Sequence, residues 1–196
     1  RSNGWLEFRR VLFRSNKCIG CRSCEIACVM AHPNANVFLS DEGSLQIAFN
    51  PALTVVRTPE ITAPIQCRHC EDAPCANVCP NKSITNEDGV VLVNKKTCIG
   101  CKTCVIACPF GAIDMVEQYD NGIKVTMDGL DDGIINHKAR LVANKCDLCS
   151  GREKGPACLA ACPTDALMLV DQQDIKLSTN EKRVSNLKDI STIFGK

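Results

Sequence analysis

Cys98-Ile99-Gly100-Cys101-Lys102-Thr103-Cys104-Val105-Ile106-Ala107-Cys108-Pro109 is the stretch that decides the fold. It reads C-x2-C-x2-C-x3-C-P, the spacing with which a chain wraps a [4Fe–4S] cube. Three cysteines on one tight loop reach three irons of a single cube. The fourth points away and ligates a different one, so the motif predicts a second cluster. Three more quartets stand in the chain: Cys18, Cys21, Cys24 and Cys28; Cys67, Cys70, Cys75 and Cys79, followed by Pro80; and Cys146, Cys149, Cys158 and Cys162, followed by Pro163.

These quartets use all 16 cysteines of the 196-residue chain. A disulfide framework suits a short secreted chain and leaves no such grouping, and no apolar signal segment is recognisable. Zinc knuckles share the C-x2-C pair but not the third cysteine at x2 and the fourth at x3 before proline. The reading is four [4Fe–4S] clusters with every cysteine a metal ligand. Aromatic residues make up only 4% of the chain, so cluster binding is expected to supply folding energy that a small core cannot. The formal charge of +1 falls to roughly −7 when each oxidised cube and its thiolates add about −2. That excludes nucleic acid as a partner.

Residues 1–15 are read as an extraneous leader. Trp5, Phe8, Arg9, Arg10 and Arg14 form a basic-aromatic piece resembling translated adapter sequence. Arg9-Arg10-Val11-Leu12-Phe13 echoes a twin-arginine export signal but lacks the apolar region that follows one. The first quartet has Val29 where the others have proline. Residues 29–66 form an insertion with turns at Pro33-Asn34 and Asp41-Glu42-Gly43 and a strand over Leu53 to Val56. His32 follows a complete quartet and is read as a surface or supporting residue, not a ligand. The second quartet is widened by Glu71-Asp72-Ala73-Pro74. A β-hairpin follows, with strands Ser83-Ile84-Thr85 and Val90 to Val93 around Asn86-Glu87-Asp88-Gly89. Pro80 to Ile84, Pro109 to Ile113 and Pro163 to Leu167 repeat one another. A second insertion, 114–143, carries a hairpin of Val116 to Tyr119 and Ile123 to Met127 around Asp120-Asn121-Gly122. The x8 gap of the fourth quartet, with Arg152 to Pro156, bulges to the surface. In the tail, Val184, Leu187, Ile190, Ile193 and Phe194 recur at helical spacing, with Ser178, Thr179 and Asn180 as caps. The helix either packs on its own domain or docks a partner. No run of eighteen apolar residues is present, so no membrane span is expected.

The crossover rule assigns the ligands. Adjacent quartets two and three share clusters: Cys67, Cys70, Cys75 with Cys108, and Cys98, Cys101, Cys104 with Cys79. The outer quartets then pair across the chain: Cys18, Cys21, Cys24 with Cys162, and Cys146, Cys149, Cys158 with Cys28. The expected fold is α+β, with two nested modules resembling two-cluster bacterial ferredoxins, built of short helices and β-hairpins around the clusters. The outer module comprises residues 16–66 and 140–171, the inner one 67–139, and 172–196 form a polar tail.

On Lys17-Cys18-Ile19-Gly20-Cys21, Cys67-Arg68-His69-Cys70-Glu71-Asp72-Ala73-Pro74-Cys75-Ala76, Lys145-Cys146-Asp147-Leu148-Cys149 and Gly155-Pro156-Ala157-Cys158, the chain resembles a known family. This is the four-cluster iron–sulfur subunits of molybdenum or tungsten oxidoreductases and hydrogenases, the DMSO reductase iron–sulfur subunit superfamily. It looks closest to those serving formate dehydrogenase in formate hydrogenlyase and hydrogen-dependent carbon dioxide reductase. The resemblance covers about residues 16–171 and implies a non-catalytic subunit relaying single electrons between a molybdopterin formate dehydrogenase-type subunit and an iron hydrogenase or further iron–sulfur subunit. Arg22, Lys102 and Lys145, beside the cluster loops, raise nearby potentials or are merely solvated charges. The alternatives are an accessory protein for formate dehydrogenase maturation and a subunit of another molybdopterin reductase. A radical enzyme, which needs an open iron, does not fit four complete quartets. Oxygen-sensitive cubes and the lack of a credible export signal imply the cytoplasm.

Overall fold

The computed structural model describes residues 9–40, 42–131 and 134–194; Trp5 and Phe8 lie outside them. β1 (Arg9–Phe13) leads into the first cysteine loop and α1 (Ser23–Ala31). There follow α2 (Pro33–Asn36), the hairpin β2 (Val37–Leu39) and β3 (Leu45–Ile47), and the hairpin β4 (Leu53–Arg57) and β5 (Thr62–Gln66). The second loop carries α3 (Pro74–Asn77), then β6 (Ile84–Glu87) and β7 (Val90–Val93). The third carries α4 (Thr103–Ala107), then β8 (Asp114–Glu117), β9 (Tyr119–Asp120), β10 (Ile123–Lys124), β11 (Thr126–Asp131), β12 (Ile134–Ala139) and β13 (Leu141–Asn144). The fourth carries α5 (Ala157–Ala160), followed by β14 (Leu167–Asp171) and α6 (Gln172–Phe194).

Short helices and small antiparallel ribbons make this an α+β protein. Among the described residues every sheet has two strands, and such ribbons are marginal unless a face is buried. Prolines start the short helices, with Pro33 and Pro74 at their first positions, where a missing N–H costs nothing. The turns Asp88-Gly89 and Asn121-Gly122 have positive φ at both residues, as tight hairpins require.

Two apolar cores form, and cysteines sit in both. One gathers Val11, Cys24, Cys28, Leu53, Leu148, Cys158 and Leu167, with Cys146 at its edge. The other gathers Cys75, Ile84, Val91, Cys98, Cys104, Ile113, Val142 and Ala143, with Cys79 and Cys108 at its edge. α1 packs on α5 in the first, and α3 on α4 in the second.

Several expectations are corrected. Residues Arg9–Phe13, set outside the fold, pair antiparallel with β14 from Arg9↔Asp171 to Phe13↔Leu167. Val11 is fully buried and its carbonyl accepts the Gln66 side-chain amide at 2.8 Å. The strand adds to the edge of β14 because Val11 on its inward face, with Phe13 beside it, completes the core. The inner module's expected boundary at 139/140 also moves. Leu141–Asn144 pair with Asp114–Glu117, and Val142 and Ala143 lie in the second core. The hairpin expected around Asp120-Asn121-Gly122 is present as β9 with β10, and two further pairings, β8 with β13 and β11 with β12, accompany it. The insertion 29–66 holds β2, β3 and β5 besides the expected strand.

The tail helix starts at Gln172, not at Ser178 to Asn180. Asp174 N–H donates to Asp171 Oδ1 at 2.9 Å and Asp171 N–H to Asp174 Oδ2 at 3.0 Å, a reciprocal cap with aspartates in both places. Ile175, Leu177, Val184 and Leu187 are all exposed; the side chains of Ile190, Ile193 and Phe194 lie outside the described ones. Among the described residues, no helix is long and apolar enough to cross a membrane.

Candidate metal centres

The four cysteine loops share one backbone device. The residue before the second cysteine has positive φ in each: Gly20 (66°), His69 (46°), Gly100 (69°) and Leu148 (57°). This left-handed step turns the second thiol toward the first. Two loops use glycine for it; the other two impose it on side chains, at about 1–2 kcal/mol each. Arginines clamp the first and third loops from neighbouring strands. Arg57 Nη2 donates to the carbonyls of Ile19 and Gly20 at 3.2 and 2.9 Å, and Arg140 Nη2 to those of Lys96 and Cys98, both at 2.7 Å.

The last cysteines of quartets two, three and four share a second device. Three residues on, Lys82, Gly111 and Asp165 have positive φ, so the next N–H turns back to the sulfur. Ser83, Ala112 and Ala166 thus donate to Sγ of Cys79, Cys108 and Cys162 at 3.3, 3.5 and 3.2 Å. Cys28, which lacks the trailing proline, stays in α1 and receives its N–H from Ala52 at 3.3 Å instead.

The structure brings thiols from different quartets together. Cys18, Cys21, Cys24 and Cys162 line one cavity. Cys79, Cys98, Cys101 and Cys104 line another. Cys70 and Cys75 each lie within electrostatic reach of Cys67 and Cys108. Cys158 lies within reach of Cys28 and Cys149, and Cys146 of Cys158. These groups also face one another: Cys158 is near Cys24, and Cys146 is near Cys67.

Electrostatics make these thiols dependent on metal. Burial pushes Cys24 and Cys75 up to about 11 and Cys158 up to about 12, and it raises Cys146 as well. Such thiols stay protonated at neutral pH until a cation displaces the proton. Cys21 and Cys101 are the exposed pair; both are lowered, first by the hydroxyls of Ser23 and Thr103.

Three polar residues were undervalued in the sequence. Buried Glu25 accepts Val55 N–H at 2.6 Å and Arg22 Nε–H at 2.8 Å, tying α1 to β4. His32 donates through Nδ1 to Cys28 O at 2.8 Å and through Nε2 to the Asp147 carboxylate at 3.2 Å. The Asp147 bond, then the Cys28 bond, raises its pKa, so it is an imidazolium joining α1 to the fourth loop. The donor atoms of His32, Asp147 and Cys149 lie within 4.8 Å of one another, but the imidazolium leaves no lone pair for a metal. His69 is 2% exposed. Its Nδ1 accepts Val91 N–H at 3.0 Å, and burial, with Lys145 second, drives its pKa down to about 3. The proton therefore sits on Nε2, which is buried without a partner among the protein atoms. An orphaned donor in a cysteine loop fits a sulfur-rich group there, and so do thiols grouped from different quartets with backbone N–H groups aimed at sulfur.

Comparison with known proteins agrees with this chemistry. The family described as a 4Fe-4S dicluster domain matches twice, over residues 59–129 and 97–166. The electron transport protein HydN of Escherichia coli K12 is 44% identical over 176 residues, covering 89% of this chain and 95% of that protein. Formate hydrogenlyase subunit 2 of the same organism is 40% identical over 188 residues, covering 89% and 88%. The putative electron transport protein YsaA is 39% identical over 171 residues, covering 86% and 93%. Sixteen cysteines in four quartets, two dicluster matches and likeness to electron transport proteins over most of the chain lead to one conclusion: this chain belongs to the ferredoxin-like 4Fe-4S electron-transport proteins.

Proposed function

We propose that the chain is a four-cluster wire, passing single electrons between a formate dehydrogenase-type catalytic subunit and a hydrogenase or further iron–sulfur subunit. The ligand sets are Cys18, Cys21, Cys24 and Cys162; Cys146, Cys149, Cys158 and Cys28; Cys67, Cys70, Cys75 and Cys108; and Cys98, Cys101, Cys104 and Cys79. The observation that carries the reading is the serial order of the thiols, with Cys24 near Cys158 and Cys146 near Cys67. The two exposed cysteines, Cys21 and Cys101, belong to the two end sets, where partners can approach. When bound, the clusters supply one-electron chemistry and nothing else. The chain's own residues set how readily each site takes charge. Backbone N–H groups on sulfur and the guanidinium groups of Arg57 and Arg140 favour added negative charge. Burial of Cys28, Cys67, Cys75 and Cys158 keeps water from the inner sites.

The two sets built from quartets one and four form an outer module, closed by the β1–β14 ribbon, and the inner module is inserted within it. The cytoplasm is the compartment this implies, where thiols stay reduced. Likeness to HydN and to formate hydrogenlyase subunit 2 supports the formate and hydrogen context. The test is anaerobic purification of the native complex with viologen-linked formate and hydrogen assays. Stoichiometric co-purification with both enzymes, at about 16 irons per chain, is expected. A lone protein with intact clusters would point instead to the accessory role in maturation.

A further inference from the structure

Between the two cores lies a buried cation that the wire reading does not yet use. Lys145 is 6% exposed. Its Nζ donates to the carbonyl of Val91, from the inner core, and to that of Cys146, at 2.7 Å, on the outer side. The same Val91 residue gives its N–H to His69, so residues of the second and fourth cysteine loops hold one buried residue from both sides. Among the described residues, the bonded partners of Lys145 are carbonyls and not carboxylates. A buried ammonium without a counter-ion is costly, and that cost falls when negative charge is placed beside it. The charge of Lys145 acts on Cys75 of one thiol set and on Cys146 of the other, and those sets meet where Cys146 faces Cys67. A second, half-buried lysine flanks one of them. Lys95 donates to Asn144 Oδ1 at 3.4 Å and lies within electrostatic reach of Asp147 first and of Cys28 second.

We propose that Lys145 is the shared counter-charge of the two central cluster sites, raising the potentials of both at the crossing between modules, with Lys95 adding to the site completed by Cys28. The inference rests on the four-cluster reading. One electron added at either central site deepens the local negative charge by one, and a fixed ammonium stabilises that state. The end sites lie farther away and take little of the effect.

Potentiometric EPR titration of the anaerobic holoprotein, with signals assigned by single cysteine-to-serine variants, tests it. In Lys145→Gln, which keeps a donor and loses the charge, the reduced-to-oxidised ratio at fixed potential falls at least tenfold at both central sites, a shift of about 59 mV. The end sites move less than twofold, and Lys145→Arg restores the central pair. Lys95→Gln, less buried and safer to fold, shifts the Cys28-completed site more than any other. Unchanged potentials in both charge-removing variants, or equal shifts at all four sites, overturn the proposal. Fewer than four clusters in the wild-type protein overturns the reading beneath it and is visible before any variant is made.

Discussion

Gly100→Ala and Gly111→Ala make a matched pair that isolates one close contact in the third cysteine loop. Both glycines have positive φ, +69° and +58°, so both substitutions carry the left-handed penalty of about 1–2 kcal/mol. A Cβ at Gly111 meets nothing within 4 Å. The equivalent positions in the second and fourth quartets already hold Lys82 and Asp165 in the same conformation. A Cβ at Gly100 falls 2.5 Å from the carbonyl oxygen of Leu141, nearly an ångström inside ordinary contact. That oxygen cannot swing aside: Leu141 opens β13, and the next two residues, Val142 and Ala143, are fully buried. Relief needs displacement of either β13 or the loop itself, an overpacking cost of about 1–3 kcal/mol. The total is about 2–5 kcal/mol for Gly100→Ala against about 1–2 kcal/mol for Gly111→Ala. The assay is the rate of cluster bleaching in a fixed guanidinium concentration under anaerobic conditions, with EPR to identify the cluster lost first. Gly100→Ala should bleach faster by at least about fivefold, losing the Cys98–Cys101–Cys104 site first. Equal rates, or a faster Gly111→Ala, would refute the claim that the β13 backbone supports this loop.

Three further outcomes follow from the site geometry. Cys79→Ala should remove the cluster of Cys98, Cys101 and Cys104 and spare that of Cys67, Cys70 and Cys75, taking away about four irons per chain; EPR loss of the second site instead would break the crossover assignment. Glu25→Ala strands the buried Val55 N–H and should cost about 1–3 kcal/mol, whereas Glu25→Gln keeps an acceptor and should cost about 1 kcal/mol; denaturant midpoints followed by cluster absorbance compare them. His32→Ala should destabilise in a pH-dependent way. The folded-state His32 lies above its ordinary 6.5, so its contribution is complete below pH 6.5 and fades as pH rises toward the folded value. Asp147 is held below its ordinary 3.8, chiefly by the His32 bond against the opposing effect of burial, so its share is complete above pH 3.8 and fades below. The gap between wild type and His32→Ala should therefore be wider at pH 6 than at pH 9, and a gap that grows with pH would count against the pairing.

What the sequence made legible was what ligand chemistry constrains. Cysteine spacing is set by the size of an iron–sulfur cube, so the four quartets could be read without a fold. The Asp88-Gly89 hairpin was legible because only a few residues accept two successive positive φ angles. Backbone geometry imposed by tertiary contacts was not. Nothing marks His69 or Leu148 as left-handed; the signal lay only in their alignment with Gly20 and Gly100, one residue before the second cysteine. The contact of Glu25 with Val55 reaches β4, 30 residues away, and that of Lys145 with Val91 reaches β7. The strand Arg9–Phe13 was misjudged because its composition looked foreign, while Val11 and Phe13 were enough to fill the core beside β14. The aspartate pair capping α6 was overlooked because serine and threonine further on matched the usual cap.

The nested order of the elements bears directly on how a row of redox sites can be held. Cys28 stands in the last turn of α1, just before the chain leaves for the insertions, and Cys146 opens the fourth loop just after β13 returns it. The thiol set that these two residues share is therefore assembled at the mouth of the inner module. Cys67 is the first ligand of that module and stands at the same mouth, where it faces Cys146. With the proposed ligand sets, insertion of one two-cluster unit into another brings one site of each together and leaves the remaining two, with exposed Cys21 and Cys101, as the end sites of the proposed wire. Two such units joined in tandem by a linker would leave that meeting to chance and to loop-closure entropy. Here two covalent crossings and the Lys145 bridge to Val91 tie the two units together where, in the proposed wiring, an electron passes between them, and the same junction holds Lys145, the most buried lysine or arginine among the described residues.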